Sequence, residues 1–299
     1  MLAVTILGNN SAVPAYNRHP TSQVVTVGNN LLLLDCGEGT QIQMMRYQIR
    51  RRKISHIFIS HLHGDHYYGL VGLINSFALL GRLQPLVIIG PPLLEKIVRL
   101  QLEAGENKMP FDLTFKQIHE GVLVNETDFK VTAFKTEHRI TCYGFLIEEK
   151  KLPRRIDGTK LQLYNVPINQ IEGIRQGLNV VQTDGTIIAN HLLSLPNIAP
   201  KKYAFCADTR YTESFIDVVN NVDLMYHETT YLNNIAALAY DRFHSTTIQA
   251  ASFALKANAQ KLLIGHFSSK YNDLTEFLTE ATSIFTNTFL AIEGTTFYA

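Results

Sequence analysis

The chain has 299 residues, 46% of them hydrophobic, with a formal net charge of +1 and three cysteines. That composition supports a sizeable core and excludes a disordered or fibrous polymer, while the scattered Cys36, Cys142 and Cys206 exclude a disulfide framework and a cysteine-built zinc site. The balanced charge excludes a global pull towards nucleic acid. No apolar run approaches the roughly 20 residues of a membrane span, and residues 1–8 lack the features of a secretion signal, so a cytoplasmic location is expected.

Along the chain, β-rich runs alternate with amphipathic stretches, which predicts an α/β fold in a single domain. Residues 4–7 read as a strand, and residues 23–27 and 31–35 as a hairpin turned by Gly28-Asn29-Asn30. Residues 39–50 read as a helix. The run 54–60 is β-branched and aromatic and ends directly at His61. Later runs, 129–134, 203–207, 223–226 and 261–265, lead to His138, Asp208, His227 and His266. Open α/β sheets bind ligands where loops leave the carboxyl ends of their strands, and these residues all fall there. Thr246 and Gln249 have capping-box spacing, so a helix is expected from there to about residue 258, with His244 just before it. Between residues 150 and 202, Pro153, Pro167, Pro196 and Pro200 break the pattern, which predicts an inserted, flexible arm.

The segment His61-Leu62-His63-Gly64-Asp65-His66 carries the strongest chemical signal. Histidines at i and i+2 at a strand end point to one side, and a tight turn at Gly64 brings Asp65 and His66 back over it. Neutral imidazoles suit zinc, and added carboxylate suits a second ion close by. A lone His-x-His is more often a surface or core pair, but the whole string between a strand and a helix is far more specific. His138, Asp208 and His266 each have a bland reading as a cap, a turn residue or a surface side chain; their shared strand-end placement favours ligands. His19, His56, His119 and His191 lack that placement and read as structural or surface residues.

A His-x-His-x-Asp-His string followed by a distant His, Asp and His resembles the metallo-β-lactamase superfamily over nearly the whole chain. Within it, the strings Leu34-Asp35-Cys36-Gly37-Glu38-Gly39-Thr40-Gln41, Met225-Tyr226-His227-Glu228-Thr229-Thr230-Tyr231, His244-Ser245-Thr246-Thr247 and Gly265-His266-Phe267-Ser268-Ser269-Lys270-Tyr271 resemble the ribonuclease Z family. The resemblance implies an αβ/βα sandwich of two mixed sheets flanked by helices. It implies two Zn²⁺ ions, one held by His61, His63 and His138, the other by Asp65, His66 and His266, with Asp208 between them; Mn²⁺ or Fe²⁺ suits the same donors. Asp65 would accept a proton from the attacking water. His244, oriented by Glu228, would protonate the leaving oxygen, unless the two form an ordinary surface pair. His227 would support a ligand by a hydrogen bond.

The implied substrate is precursor transfer RNA, cut to remove its 3′ trailer by a homodimeric enzyme. Lys270 and Ser268 would meet phosphate, lysine supplying a point charge where the family commonly has an arginine fork. The segment 150–202 holds eight Lys or Arg against three Asp or Glu, a local balance of +5 that leaves −4 for the remainder, so the arm, with Arg154 and Arg155, is the expected RNA grip. It shows Val166-Pro167-Ile168-Asn169 in place of the family's Gly-Pro string. A second basic stretch is Arg46 with Arg50, Arg51, Arg52 and Lys53, for which a solvated helix end is the plain alternative. Two competing readings explain part of the pattern. A small-substrate hydrolase of the same fold accounts for the ligands but not for Glu228, His244 or the arm, and a non-catalytic RNA-binding homologue has no use for seven ligands.

Overall fold

Strands that are covered on both faces read as continuous apolar runs, and this chain supplies them twice. The computed structural model describes residues 1–106 and 108–299, which divide into two compact units, Met1–Glu149 with Lys201–Ala299, and Lys150–Pro200.

The first unit contains two seven-stranded mixed sheets. In the first sheet, β1 (Leu2–Gly8), β2 (Ser22–Val27) and β3 (Asn30–Leu34) are antiparallel, and β4 (Ile54–Phe58), β5 (Leu86–Gly90) and β6 (Leu113–Gln117) follow in parallel. The second sheet repeats the plan. Its β7 (Gly121–Asn125), β8 (Phe129–Lys135), β9 (Tyr143–Glu149) and β10 (Lys202–Cys206) are antiparallel neighbours, while β11 (Leu224–Glu228), β12 (Leu262–Gly265) and β13 (Thr288–Leu290) run parallel to β10. A final strand, β14 (Thr296–Tyr298), returns to the first sheet beside β1, with Ala3 opposite Tyr298.

Alternation along each strand sets the layers. Leu32, Leu34 and Phe58 point between the sheets to meet Phe145, Phe205 and Tyr226 of the second sheet. Leu33 and Ile57 point outward under helices α1 (Thr40–Arg46), α3 (Leu70–Leu79) and α4 (Leu94–Ala104), of which α3 contributes Leu73 and Phe77; α2 (Gly64–Tyr67) is a single turn. On the other outer face Ala204, Met225 and Ile264 meet Phe253 of α6 (Thr247–Lys256) and Phe277 of α7 (Thr275–Ile284), after the short α5 (Ala236–Asp241). The expected sandwich of two mixed sheets flanked by helices is what the chain forms.

Three boundaries differ from the sequence reading, each for a local reason. The helix expected over 39–50 ends at Arg46, because Gln48 takes a left-handed backbone, φ 55°, and turns Ile49 back towards the outer core. The strand expected over 54–60 stops at Phe58, because the Ser60 N–H is given to the Asp35 carboxylate, 2.8 Å, in place of the ladder. The strand expected over 223–226 continues to Glu228, which puts His227 and Glu228 inside the sheet.

The second unit lies between β9 and β10, whose ends meet through Glu149 N–H donating to Lys201 O at 2.9 Å. It holds two small antiparallel pairs, Arg155–Ile156 with Ser194–Leu195 and Val180–Val181 with Ile187–Ile188, three short helices, and a small core of Ile174, Val180, Ile188 and Leu193.

Candidate metal centre

The loops leaving the carboxyl ends of β4, β8, β10 and β12 carry His61 to His66, His138, Asp208 and His266 to one place. His266 takes a left-handed backbone, φ 62°, as it leaves β12. Gly64 does not make the tight turn expected of it; it opens the α2 turn, and its missing side chain admits Tyr68, whose Cε2 would stand 2.2 Å from a Cβ there.

Two groups of donors result. His63 Nδ1 is 3.0 Å from His61 Nε2 and 3.1 Å from His138 Nε2, and Asp208 Oδ2 lies 3.7 Å from His61 Nε2 and 3.8 Å from His138 Nε2. In the second group, Asp65 Oδ2 is 3.5 Å from His66 Nε2 and 3.4 Å from His266 Nε2, while Asp208 Oδ1 is 3.4 and 3.2 Å from the same two nitrogens. Tetrahedral donors about 2.0–2.1 Å from an ion are about 3.3 Å apart, so both groups have the spacing of a coordination shell. Each carboxylate oxygen of Asp208 faces a different group. Among the described residues, His66 Nε2, Asp208 Oδ1 and His266 Nε2 are buried without a hydrogen-bond partner, which buried polar atoms rarely tolerate. These donors fit divalent metal ions.

The far side of most rings is held. His66 Nδ1 meets Asp35 Oδ2 at 2.7 Å, His61 Nδ1 meets Ser60 Oγ at 3.0 Å, His138 Nδ1 meets Phe243 O at 3.0 Å, and His266 Nδ1 meets Thr230 Oγ1 at 2.9 Å. Such partners fix the tautomer and aim the other nitrogen at a metal. Burial holds the His61, His63 and His138 imidazoles below their usual range, His63 at about 4, in the neutral form that ligates. Burial acts the same way on His66, but Asp208, Asp65 and Asp35 outweigh it and raise this imidazole well above the usual value. Three carboxylates around one ring mark a site that needs a cation.

Above the ligands stands the expected pair. His244 Nδ1 is 3.0 Å from Glu228 Oε1, which also accepts from Ser245 N at 2.9 Å and Thr209 N at 3.2 Å; Glu228 Oε2 accepts from Thr230 N and Oγ1 at 2.9 and 2.8 Å. Burial opposes charge on His244, yet the Glu228 carboxylate, by charge and hydrogen bond, raises it to about 9. A cavity of about 430 Å³ opens over the cluster, lined by His63, Asp65, His138, Asp208, His244 and His266 together with Ser11, Ala12, Glu38, Tyr68, Arg139, Tyr231 and Arg242.

Other expected residues fall further out. Ser268 is buried and its Oγ accepts from Lys270 N at 3.3 Å; Lys270 Nζ stands 6.0 Å from the Tyr231 ring centre. His227 does not support a ligand: its ring packs on Phe253 on the helix side of the sheet, and its Nδ1 lies 2.7 Å from Glu228 O. Arg154 and Arg155 belong to the Lys150–Pro200 unit, where Arg154 donates from Nε to Ser194 Oγ at 2.7 Å, and Arg155 is exposed. The sequence reading gave no role to Asp35, Ser60, Thr230, Tyr68, Arg139 or Arg242. Asp35 and Thr230 lay within strings already singled out, so their signal was present; that of Arg139 and Arg242 was only their place beside His138 and His244.

Comparison with known proteins agrees with this geometry. A family model described as anti-Pycsar protein Apyc1 matches residues 2–166. The ribonuclease Z of Parabacteroides distasonis is 40% identical over 294 residues, 97% of each chain. Human tRNase Z, short form, superposes with a TM-score of 0.73 at 25% identity, covering 99% of this chain and 98% of that one. The metallo-β-lactamase fold protein YhfI of Bacillus subtilis matches in fold, with a TM-score of 0.70 at 21% identity over the whole of both chains. Through its first half the chain belongs to the family described as anti-Pycsar protein Apyc1, and along its whole length it belongs to the ribonuclease Z family on the metallo-β-lactamase fold.

Proposed function

We propose that the protein is a metal-dependent endoribonuclease that removes the 3′ trailer of precursor transfer RNA, leaving a 3′-hydroxyl on the transfer RNA and a 5′-phosphate on the trailer. Membership of the ribonuclease Z family supports the substrate. The observation that carries the chemistry is the Glu228–His244 pair at 3.0 Å on the lip of the metal-type cluster, a proton donor placed for the poor alkoxide leaving group of a phosphodiester.

His61, His63 and His138 would hold one ion, Asp65, His66 and His266 a second, and Asp208 would serve both; the nitrogen and carboxylate donors suit zinc, with Mn²⁺ or Fe²⁺ as substitutes. Two such ions supply hydroxide at neutral pH and offset charge on the phosphate oxygens. Asp65 accepts the proton lost by the attacking water. As the new oxygen–phosphorus bond forms, the bond from phosphorus to the 3′-oxygen breaks, and that oxygen takes the proton of His244 Nε2. Glu228 keeps the imidazole protonated and its Nδ1 turned away from the cavity.

The insertion Lys150–Pro200 is assigned the RNA grip on its charge, with the exposed Arg155 contributing more than Arg154. Lys270 and Ser268 are assigned to phosphate. A cytoplasmic homodimer is part of the same reading: among the described residues no helix is long and apolar enough to cross a membrane, and the exposed Ile42 and Met45 on α1 suit a second copy, which sedimentation would detect.

Hydrolysis of a small phosphodiester is the second reading, because the same cluster of donors would serve it equally well. One experiment separates them. Precursor transfer RNA is incubated with wild type and with His244→Ala, the cut mapped and bound metal measured. We expect cleavage at the trailer by wild type and, for His244→Ala, a loss of about 10²- to 10⁴-fold with metal retained. A wild type that cuts only small diesters would sink the ribonuclease reading, and unchanged turnover by the variant would remove His244 from the chemistry.

A further inference from the structure

The cavity rim carries two groups that the chemistry above does not use. Tyr68 is 68% exposed although it lines the cavity, and it is firmly mounted. Its backbone N–H closes the α2 turn onto Gly64 O at 2.9 Å. Its ring lies against Gly64, where any side chain would collide with it, and packs edge-on to Tyr67 at 5.0 Å. A rigid, half-bare aromatic face beside a phosphodiester site is the form of a base-stacking platform.

Arg139, on the loop between β8 and β9, lines the same cavity. Its Nη2 lies 3.3 Å from His63 Nε2; with His63 Nδ1 turned to the donor cluster as a ligand, the ring proton sits on Nε2, and since a guanidinium only donates, the two do not pair. Among the described residues it meets no carboxylate: the nearest in sequence, Glu137, is taken by Arg210 Nε at 2.8 Å. Arg210 is thus spent on a structural pair, whereas Arg139 presents its fork to the cavity. A guanidinium without an anion and a bare ring on the lining of one cavity are complementary to the phosphate and the base of a nucleotide.

The side of the cut follows from the acid. The leaving 3′-oxygen takes its proton from His244, so the transfer RNA end lies towards His244, Tyr231 and Arg242, all on loops of the second sheet. Tyr68 belongs to the wall built by the first sheet, which Arg139, although it sits on the β8–β9 loop of the second sheet, reaches at His63, and that wall faces the other product.

We infer that Tyr68 and Arg139 form a subsite for the first trailer nucleotide, Tyr68 stacking its base and Arg139 gripping the phosphate on its far side. This rests on the ribonuclease reading. The subsite tolerates any base, because every base offers a face to stack, and it makes cleavage depend on the presence of a base just beyond the cut.

The test pairs a protein change with a substrate change. Precursor transfer RNA with a normal or an abasic first trailer nucleotide is cut by the metal-loaded wild type, Tyr68→Ala and Tyr68→Phe. The wild type is expected to lose about tenfold in kcat/KM on the abasic substrate, Tyr68→Ala to lose as much on the normal substrate with no further loss on the abasic one, and Tyr68→Phe to behave as wild type. For Arg139→Ala, with metal content matched to wild type, the slope of log kcat/KM against log salt should become shallower by about 0.7, one single-strand phosphate contact. Losses that multiply when Tyr68→Ala meets the abasic substrate overturn the stacking role, and an unchanged salt slope overturns the phosphate role. A wild type that cuts precursor yet fails these comparisons leaves the ribonuclease reading intact, whereas one that cuts no precursor removes both.

Discussion

Asp35 never faces the cavity, yet it governs one ligand. Its carboxylate is fully buried and accepts from Ser60 N, Ser60 Oγ and His66 Nδ1 at 2.8, 2.9 and 2.7 Å, which keeps a proton on Nδ1 and frees Nε2. In Asp35→Asn an amide group facing His66 would favour the other tautomer and block the ligand nitrogen. We expect metal affinity about 10- to 100-fold weaker and stability lower by about 1–3 kcal/mol, read by metal titration and denaturant unfolding. Wild-type affinity in a folded variant would show that Asp35 only packs. His244 makes the pH prediction at this scale. Burial lowers it, but Glu228 more than offsets this and raises it to about 9, against 6.5 unperturbed, so the pair's contribution to stability is complete below about 6.5 and is lost as pH rises through 9. The acid is charged over the same range, so turnover should fall as pH passes about 9. Glu228→Gln should move that fall to lower pH; a high-pH limb at the same position in both proteins would refute the pairing.

At the scale of elements, the sheet-end placement of His61, His138, Asp208 and His266 was legible because strand periodicity and the residue that follows a strand are local properties of sequence. The hairpin is of the same kind: expected at 23–27 and 31–35, it forms at Ser22–Val27 and Asn30–Leu34. What could not be read were partners brought from afar, as when Thr230 meets His266 across 36 positions, or Asp35 takes Ser60 and ends a strand early. Gly64 was misread because its reason is a ring four residues on and not its own backbone angle. The capping box was legible and sits close to chemistry: Thr246 Oγ1 accepts from Gln249 N, Gln249 Oε1 accepts from Thr246 N, and His244 lies two residues before this cap. Thr246→Ala should cost about 1 kcal/mol and about 2 °C in Tm. It should also lower kcat, because Ser245 N–H and His244 approach Glu228 from that cap; a stability loss with no change in kcat would separate the helix from the site.

For the whole molecule, the insertion is separable on two grounds. It has its own small core, and the residues flanking it are already hydrogen-bonded neighbours, Glu149 N to Lys201 O at 2.9 Å. Replacing Lys150–Pro200 by an Asn-Gly turn should therefore leave a folded, metal-binding body with a higher KM for precursor transfer RNA and a weaker salt dependence of that KM. An unaltered KM would show that the basic arm does not grip RNA.

The return of β14 to β1 has a consequence in time. Until residues 296–298 are available, β1 is an open edge, and the cavity wall at residues 11–20 lacks its latch, in which Gly294 N donates to Ile6 O at 2.8 Å and Glu293 receives His19 N at 2.5 Å. All seven donors have been added to the chain by His266, so the donors precede in sequence the wall that holds them. Released chains truncated after residue 285 should then exchange bound metal faster than chains that carry residues 286–299, and equal exchange would show that the ligands close without their wall. Ion capture thus has two stages, a cluster of donors complete at His266 and a latch, residues 293–298, that makes the capture permanent.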